Sequence, residues 1–373
     1  MTTIKFDAKK LADVLTIANK MQQETLEVSK QIFFEFSNNV AKIYATNATV
    51  EVNTKIECIM DGDNRKIAVD KKDMLNIINE IKKDSNYIIL EIENNEMTIK
   101  SDSNTISSTW YCKLRIENYE RAPSFIPDNI SLHQSSIKDF TEAIKYIIYA
   151  APKKNNYNQA PNIVYILNGK IFYCCDTFRL ARYEVTETYP FPAETQISVE
   201  AANFIINTVG VLKEDVGRVG VKDRIMVIEL GDYRIGARCE EYLFPNYESI
   251  LAKEWENTIY VRTKDLNGAL KQIKKIKEAE YIYIEINPNK PNSLKLSSCN
   301  RFGDTKMTIE IDAIIDKLEK SKKTINIQYL IDALKPIKDE YIKLCYPSNS
   351  DQWIDIFIGN ERYREMIMEA VLS

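Results

Sequence analysis

The sequence predicts an α+β fold in which one strand-rich unit with two helices occurs three times in tandem. Three observations carry that expectation. Two kinds of amphipathic helical segment each recur three times, alternating strand patterns fill the stretches between them, and joints fall at matching intervals.

The first kind of helix begins near Ala8, Ser136 and Thr263, and the second near Asp70, Glu200 and Asn326. Both series step by about 127 to 130 residues, the signature of a repeated domain. In the first copy Leu11, Val14, Leu15 and Ala18 recur at i, i+3, i+4 and i+7, a one-sided apolar stripe. Ser136 and Thr263 are expected N-caps.

The strands follow from period-two alternation. Gln31–Ser37 leads through Asn38 and Asn39 into residues 40–45, a hairpin pattern. Residues 87–92 and 97–100 repeat the plan around the 93–96 turn. Tyr281–Ile286, ahead of an Asn-Pro-Asn turn, and Trp353–Ile358 do the same in the third copy. The joints lie at residues 121–127, where two prolines favour an extended linker, and at 251–254. The expected domains are 1–125, 126–252 and 253–373.

Composition narrows the function classes. With 45% hydrophobic and 28% charged residues the chain is expected to be soluble and able to bury sizeable cores. No apolar run approaches the roughly 20 residues of a membrane span. The opening Met1-Thr2-Thr3-Ile4-Lys5 lacks the apolar core of a signal peptide, so a cytoplasmic location is expected. The seven cysteines are odd in number and include no C-x-x-C, which favours buried, reduced thiols. His133 is the only histidine, which removes the usual zinc sets and most nucleophile–base catalysis. No cofactor or metal is expected. An enzyme would have to use Cys174 or Cys175 beside Asp176, with His133 as base, and no G-x-S-x-G, H-E-x-x-H or glycine-rich phosphate loop is present.

The net charge of −4 argues at face value against nucleic acid, but DNA senses the local field. Helices of the first kind carry Lys9, Lys10 and Lys20, then Lys138, Lys145, Lys153 and Lys154, then Lys264, Lys271, Lys274 and Lys275. Those of the second kind carry Lys71, Lys72 and Lys82, then Lys213, then Lys335 and Lys338. If the repeats close into a ring, these helices can line one surface and sum into a positive bore that attracts phosphates without reading bases.

Three separated segments carry a family resemblance: residues 174–181 (Cys-Cys-Asp-Thr-Phe-Arg-Leu-Ala), 244–251 (Phe-Pro-Asn-Tyr-Glu-Ser-Ile-Leu) and 366–372 (Met-Ile-Met-Glu-Ala-Val-Leu). In order and spacing they resemble the T-D-G-H-R-L-A, F-P-D-Y and C-terminal M-P-M-R-L segments of the bacterial sliding clamp, the beta subunit of DNA polymerase III. Residues 326–334 resemble that family's N-V-S-Y-L-L-D-A-L, and residues 118–123 its Y-P-R-L-P-like end of domain 1. The resemblance implies a non-catalytic processivity factor. It would consist of three tandem DNA-clamp domains per chain, two chains closing head to tail into a ring. Its implied partners are double-stranded DNA, a DNA polymerase catalytic subunit, a clamp loader and other clamp-motif repair or replication proteins.

The resemblance also implies a peptide cleft between domains 2 and 3. Its wall would be Cys175, Thr177, Phe178, Arg179 and Leu180, then Pro245, Ser249 and Ile250, then Tyr281, Asn326 and Tyr329. Met366, Ile367, Met368, Glu369, Ala370, Val371 and Leu372 would complete it. Leu180, Ile250, Ile367 and Met368 can floor a pocket for a partner's Leu or Phe, while Arg179 and Asn326 can meet its backbone or a Gln. The dimer interface would join the strand bearing Ile106 and Ser108 to the helix end at Lys275 and Ile276. The chain departs from the family in three places. Thr177-Phe178 stands where clamps have Gly-His, Glu369-Ala370-Val371-Leu372 replaces Pro-Met-Arg-Leu, and residues 24–30 replace a segment with a DNA-facing Arg. A clamp paralogue that only binds proteins is the alternative reading.

Overall fold

Asp7, Asp70, Ser136, Ser198 and Asn326 each end a strand and begin a helix. Their side chains accept hydrogen bonds from the backbone N–H of Lys10, of Lys72 and Asp73, of Asp139, of Ala201, and of Gln328 and Tyr329. An N-cap of this kind satisfies donors that the first turn would otherwise leave unpaired. The helices are α1 (Ala8–Ala18), α2 (Lys71–Ile81), α3 (Ile137–Ile147), α4 (Val199–Leu212), the single turn α5 (Glu248–Leu251), α6 (Thr263–Ile273) and α7 (Ile327–Leu334). Each of the six longer helices follows directly on a strand, two per repeat, so the same strand–cap–helix joint recurs six times. The joint before α6 is the exception. Thr263 is not the cap, as the sequence suggests, but the first helical residue. Arg262 takes the cap position without a side-chain bond, because the Thr263 hydroxyl donates to the Asp339 carbonyl at 2.6 Å.

The structure is a computed structural model. It describes residues 1–21, 26–101, 111–152, 161–243, 246, 248–251, 257–303, 305–316, 321–346, 353–358 and 362–370, with the backbone alone at 111, 250, 346 and 353–358. Ile106, Ser108, Lys153, Lys154, Pro245, Val371 and Leu372 lie outside these residues, as does the side chain of Ile250.

The chain forms two compact units. The first comprises Met1–Thr141, Tyr189–Pro192 and Ile197–Glu240, the second Glu142–Thr188, Ala193–Gln196 and Glu241–Ser373. The expected hairpins are present. Gln31–Ser37 pairs with Val40–Thr46 across Asn38 and Asn39, both left-handed (φ 52° and 61°), the conformation a two-residue turn of this hand needs.

The first unit holds a five-stranded and a nine-stranded sheet. In the larger, Val50–Glu57 from the first repeat pairs antiparallel with Tyr233–Arg238 from the second, from Ala237 against Val50 to Tyr233 against Thr54. In the twelve-stranded sheet of the second unit, Arg179–Glu184 from the second repeat pairs with Tyr363–Met368 from the third. Strands of the middle repeat thus serve both units, because each seam is a continuous hydrogen-bonded ladder.

The linker at 121–127 is docked along its sheet. The Ser124 hydroxyl and the Phe125 N–H donate to the buried Glu51 carboxylate at 2.6 and 2.7 Å. Ile126 packs on Ile225 and Val227, with Phe125, Ile130 and Leu132 alongside. Gly236 permits this approach, since a Cβ there would lie 2.5 Å from Ile126 Cγ1. Arg238 covers the Phe125 ring at 4.3 Å.

Candidate protein-interaction site

In the second unit the 176–178 turn is held from several directions. Asp176 Oδ1 accepts from the N–H groups of Phe178 and Arg179, both at 3.0 Å. Thr177 sits at φ 76°, a left-handed conformation that is costly for a β-branched residue. The turn ends with Phe178 48% exposed and its carbonyl accepting from Met368 N–H at 2.8 Å.

Beneath this rim lies a charged cluster. Arg179 donates to Asp176 at 3.1 Å, to Asp332 at 3.3 Å and to the Tyr149 carbonyl, and its guanidinium lies between the Tyr149 and Tyr329 rings. Burial works against its charge, but Asp176, Glu365 and Asp332 outweigh that and hold its pKa above the usual arginine value. Burial likewise pushes Asp332 up, while hydrogen bonds from Lys335 and Gln328 win and hold it below the usual carboxylate range. Glu365 accepts from Tyr363 at 2.7 Å and from Tyr149, but its Oε1 has no hydrogen-bond partner among the described residues. Burial pushes its carboxyl up to about 7.

The three separated sequence segments meet here. Arg179 and Leu180 lie opposite Ile367 and Met366 in the ladder. Cys175, Leu180, Leu251 and Met366 share one apolar cluster with Tyr165 and Tyr173. Glu248, at the start of α5, accepts from the Tyr173 hydroxyl and from Arg182 Nε, which ties the second segment to the strands of the first. Beyond Met368 the chain crosses to the strand Ser321–Asn326: Ala370 N–H donates to the Thr324 carbonyl at 2.8 Å, Thr324 N–H donates to Glu369 Oε1 at 3.3 Å, and Lys323 pairs with Glu369 Oε2 at 3.0 Å.

The geometry places the expected contact residues at different depths. Arg179 is 2% exposed and committed to internal partners, so it is not free to meet a peptide. Leu180, Met366 and Ile367 are interior side chains that hold the seam, and Cys175 is buried with them. The Asn326 side-chain Oδ1 is used to cap α7. The accessible rim is Thr177, Phe178 and Ser249, with Tyr281, Asn326, Tyr329, Met368, Glu369 and Ala370 half-buried. Tyr149, Asp332, Tyr363 and Glu365 were not anticipated. Only Asp332 lay in a quoted motif.

The expected basic residues divide similarly. Lys9, Lys10, Lys20, Lys72, Lys82, Lys138, Lys145, Lys213, Lys264, Lys271, Lys274, Lys275, Lys335 and Lys338 are exposed. Lys71 is not. It is fully buried, its ammonium has no hydrogen-bond partner among the described residues, and burial lowers its pKa to about 8. The reason is its place at i of the stripe completed by Met74, Leu75 and Ile78. Lys264 and Lys338 share a cavity of about 430 Å³ with Asp265, Asp339 and Glu340, so their field is partly cancelled. Ile276, expected at an interface, is 7% exposed within its own unit.

The cysteine chemistry finds no support. Cys174 is buried and donates to the Ile163 carbonyl, and burial pushes its thiol far above the usual range. Four cysteines are buried, but Cys112, Cys239 and Cys299 are partly exposed, contrary to expectation. Among the described residues no group of His, Cys, Asp and Glu is arranged to hold a metal.

No protein-family profile matches the chain. It is 25% identical over 345 residues to the beta sliding clamp of Buchnera aphidicola subsp. Rhopalosiphum padi, covering 85% of each chain. It is 23% identical over 335 residues to that of Mycoplasmopsis pulmonis, covering 84% of each. Among solved structures, the DNA polymerase III beta subunit of Thermotoga maritima superposes with a TM-score of 0.87 at 18% identity over 100% of both chains. That of Borrelia burgdorferi, solved with a natural product, gives 0.86 at 16% identity over 100% of this chain and 98% of the other.

Proposed function

We infer that the chain is a diverged beta sliding clamp, a non-catalytic processivity factor that encircles duplex DNA and tethers a DNA polymerase. The observation that carries this is similarity to clamps along the whole chain, in sequence over 85% of it and in fold over all of it. The meeting of three remote segments around the 176–178 turn supports a partner-peptide cleft there. The interaction-only alternative is not favoured, because the likeness to clamp structures extends over all of this chain and all of theirs.

The repeat itself supports a head-to-tail homodimer of subunits divided at about residues 125 and 252. Val50 and Ala237 of the first seam correspond, about 130 residues on, to Arg179 and Ile367 of the second. The third equivalent seam would need a third-repeat strand, Lys306–Ile315, and a first-repeat strand, Tyr111–Arg115, which is a sheet edge. Pairing between two chains would cover that edge and close the ring. Such a ring would be loaded by a clamp loader, hold duplex DNA through exposed lysines without sequence preference, and serve polymerase and other replication or repair partners in the cytoplasm. No described helix is long and apolar enough to cross a membrane.

Sedimentation at micromolar concentration is expected to give twice the 43.2 kDa chain mass. Protein loaded on closed circular DNA is expected to slide off once the circle is cut. A monomer, or retention on the linear product, overturns the reading.

A further inference from the structure

We propose that Glu369 and Lys323 form a latch that positions Met368 at the cleft, so that partner affinity depends on an ion pair made within the chain. The proposal rests on the cleft reading above. Glu369 and Ala370 are joined to the strand Ser321–Asn326 by three contacts: the Lys323–Glu369 ion pair at 3.0 Å, Thr324 N–H to Glu369 Oε1 at 3.3 Å, and Ala370 N–H to the Thr324 carbonyl at 2.8 Å. On the other side Met368 N–H holds the Phe178 carbonyl at 2.8 Å. The segment therefore bridges the 176–178 turn and the strand that ends in the α7 cap.

Two features make the ion pair more than a surface contact. Its side chains are only 13% and 20% exposed, so solvent screens it less than an open pair. Glu369 also accepts a backbone N–H, so the carboxylate fixes the chain direction as well as the charge. The chain carries this acid where the sequence resemblance sets a proline, which can offer neither contact. Fixing Met368 against Phe178 makes a preformed apolar rim, and preformation removes ordering cost from binding. Glu369 and Lys323 are thus positioning residues, and Phe178 with Met368 is the surface they present.

The test uses the full chain and a short synthetic peptide with uncharged side chains, carrying one Gln followed by a Leu-Phe pair, titrated by calorimetry. Glu369→Gln and Lys323→Met are each expected to weaken binding roughly fivefold. The exchanged pair, Lys323→Glu with Glu369→Lys, is expected to recover the part of that loss due to the ion pair and not the part due to the Thr324 N–H, which an ammonium cannot accept. Because the peptide has no charged side chain, a fall in wild-type affinity with added sodium chloride, absent in Lys323→Met, reports the latch and not a peptide contact. Thermal melting of each variant controls for folding. Equal affinity of wild type and both single variants overturns the latch while leaving the cleft intact. Absence of any peptide binding by the wild type overturns the cleft reading, and the latch with it.

Discussion

Where Tyr233–Arg238 meets Val50–Glu57, the seam is closed over by the linker. Glu51, its one fully buried carboxylate there, accepts from Ser124, from Phe125 N–H and from Asn53. Where Arg179–Glu184 meets Tyr363–Met368, the corresponding ladder covers a crowd of charges, with one carboxylate oxygen unpaired, a threonine in a left-handed turn and an aromatic ring left in solvent. The backbone pairing is the same and the repeat position is the same. The difference lies in what covers the ladder. Each seam leaves a buried polar atom without a hydrogen-bond partner among the described residues, Thr54 Oγ1 at the first and Glu365 Oε1 at the second; what sets the second apart, the seam proposed to receive a partner, is an exposed apolar rim over buried charge.

The largest effect should come from removing the central cation. Arg179→Ala leaves Asp176, Asp332 and Glu365 without their shared counter-charge and is expected to cost about 3–5 kcal/mol in urea unfolding. Glu51→Ala at the other seam removes only hydrogen bonds to one carboxylate, an expected loss of about 2 kcal/mol. Equal losses would erase the contrast between the seams.

The next largest is a pH effect confined to the second seam. The Glu365 carboxyl is raised from 4.5 to about 7 in the fold, chiefly by burial. Between those values the folded chain binds more protons than the unfolded one, so this group makes stability fall as pH rises from about 4.5 to about 7. The loss is complete above that and amounts to about 3 kcal/mol. Glu365→Gln should flatten this part of the stability–pH curve in chemical denaturation. A slope unchanged by the substitution would mean that the carboxylate is better satisfied than its geometry indicates.

The smallest sharpens the comparison at one dihedral. Thr177→Gly should relieve the left-handed strain and raise stability by about 1 kcal/mol, an amount visible as a small rise in melting temperature. A fall instead would show that the threonine side chain compensates for its own backbone.

Much of the architecture was legible because it is local. Asp7, Asp70 and Asn326 sit a few residues from the N–H groups they cap, Asn38-Asn39 encodes its own turn, and the repeat interval appears in the helices. Lys71 was misread although its signal was present: its spacing to Met74, Leu75 and Ile78 outranks its charge. The seams and the charged cluster were not legible. Arg179 meets Asp332 and Glu365 only through pairing between strands of different repeats, and no spacing along the chain announces it. The motif segments marked residues that the fold brings together around the 176–178 turn, but not which of their side chains face inward.

The two seams also set an order of events during synthesis. Ala237 must find Val50 and Ile367 must find Arg179, partners more than a hundred residues apart in each case. Such distant pairings are entropically slow to close, whereas each capped helix can form as soon as its own turn exists. The first ladder can therefore zip while the third repeat is still being translated. The second must wait for nearly the whole chain, and until then Arg179–Glu184 presents an open, sticky flank. The nascent chain is most exposed to misassociation at the seam proposed as the docking rim.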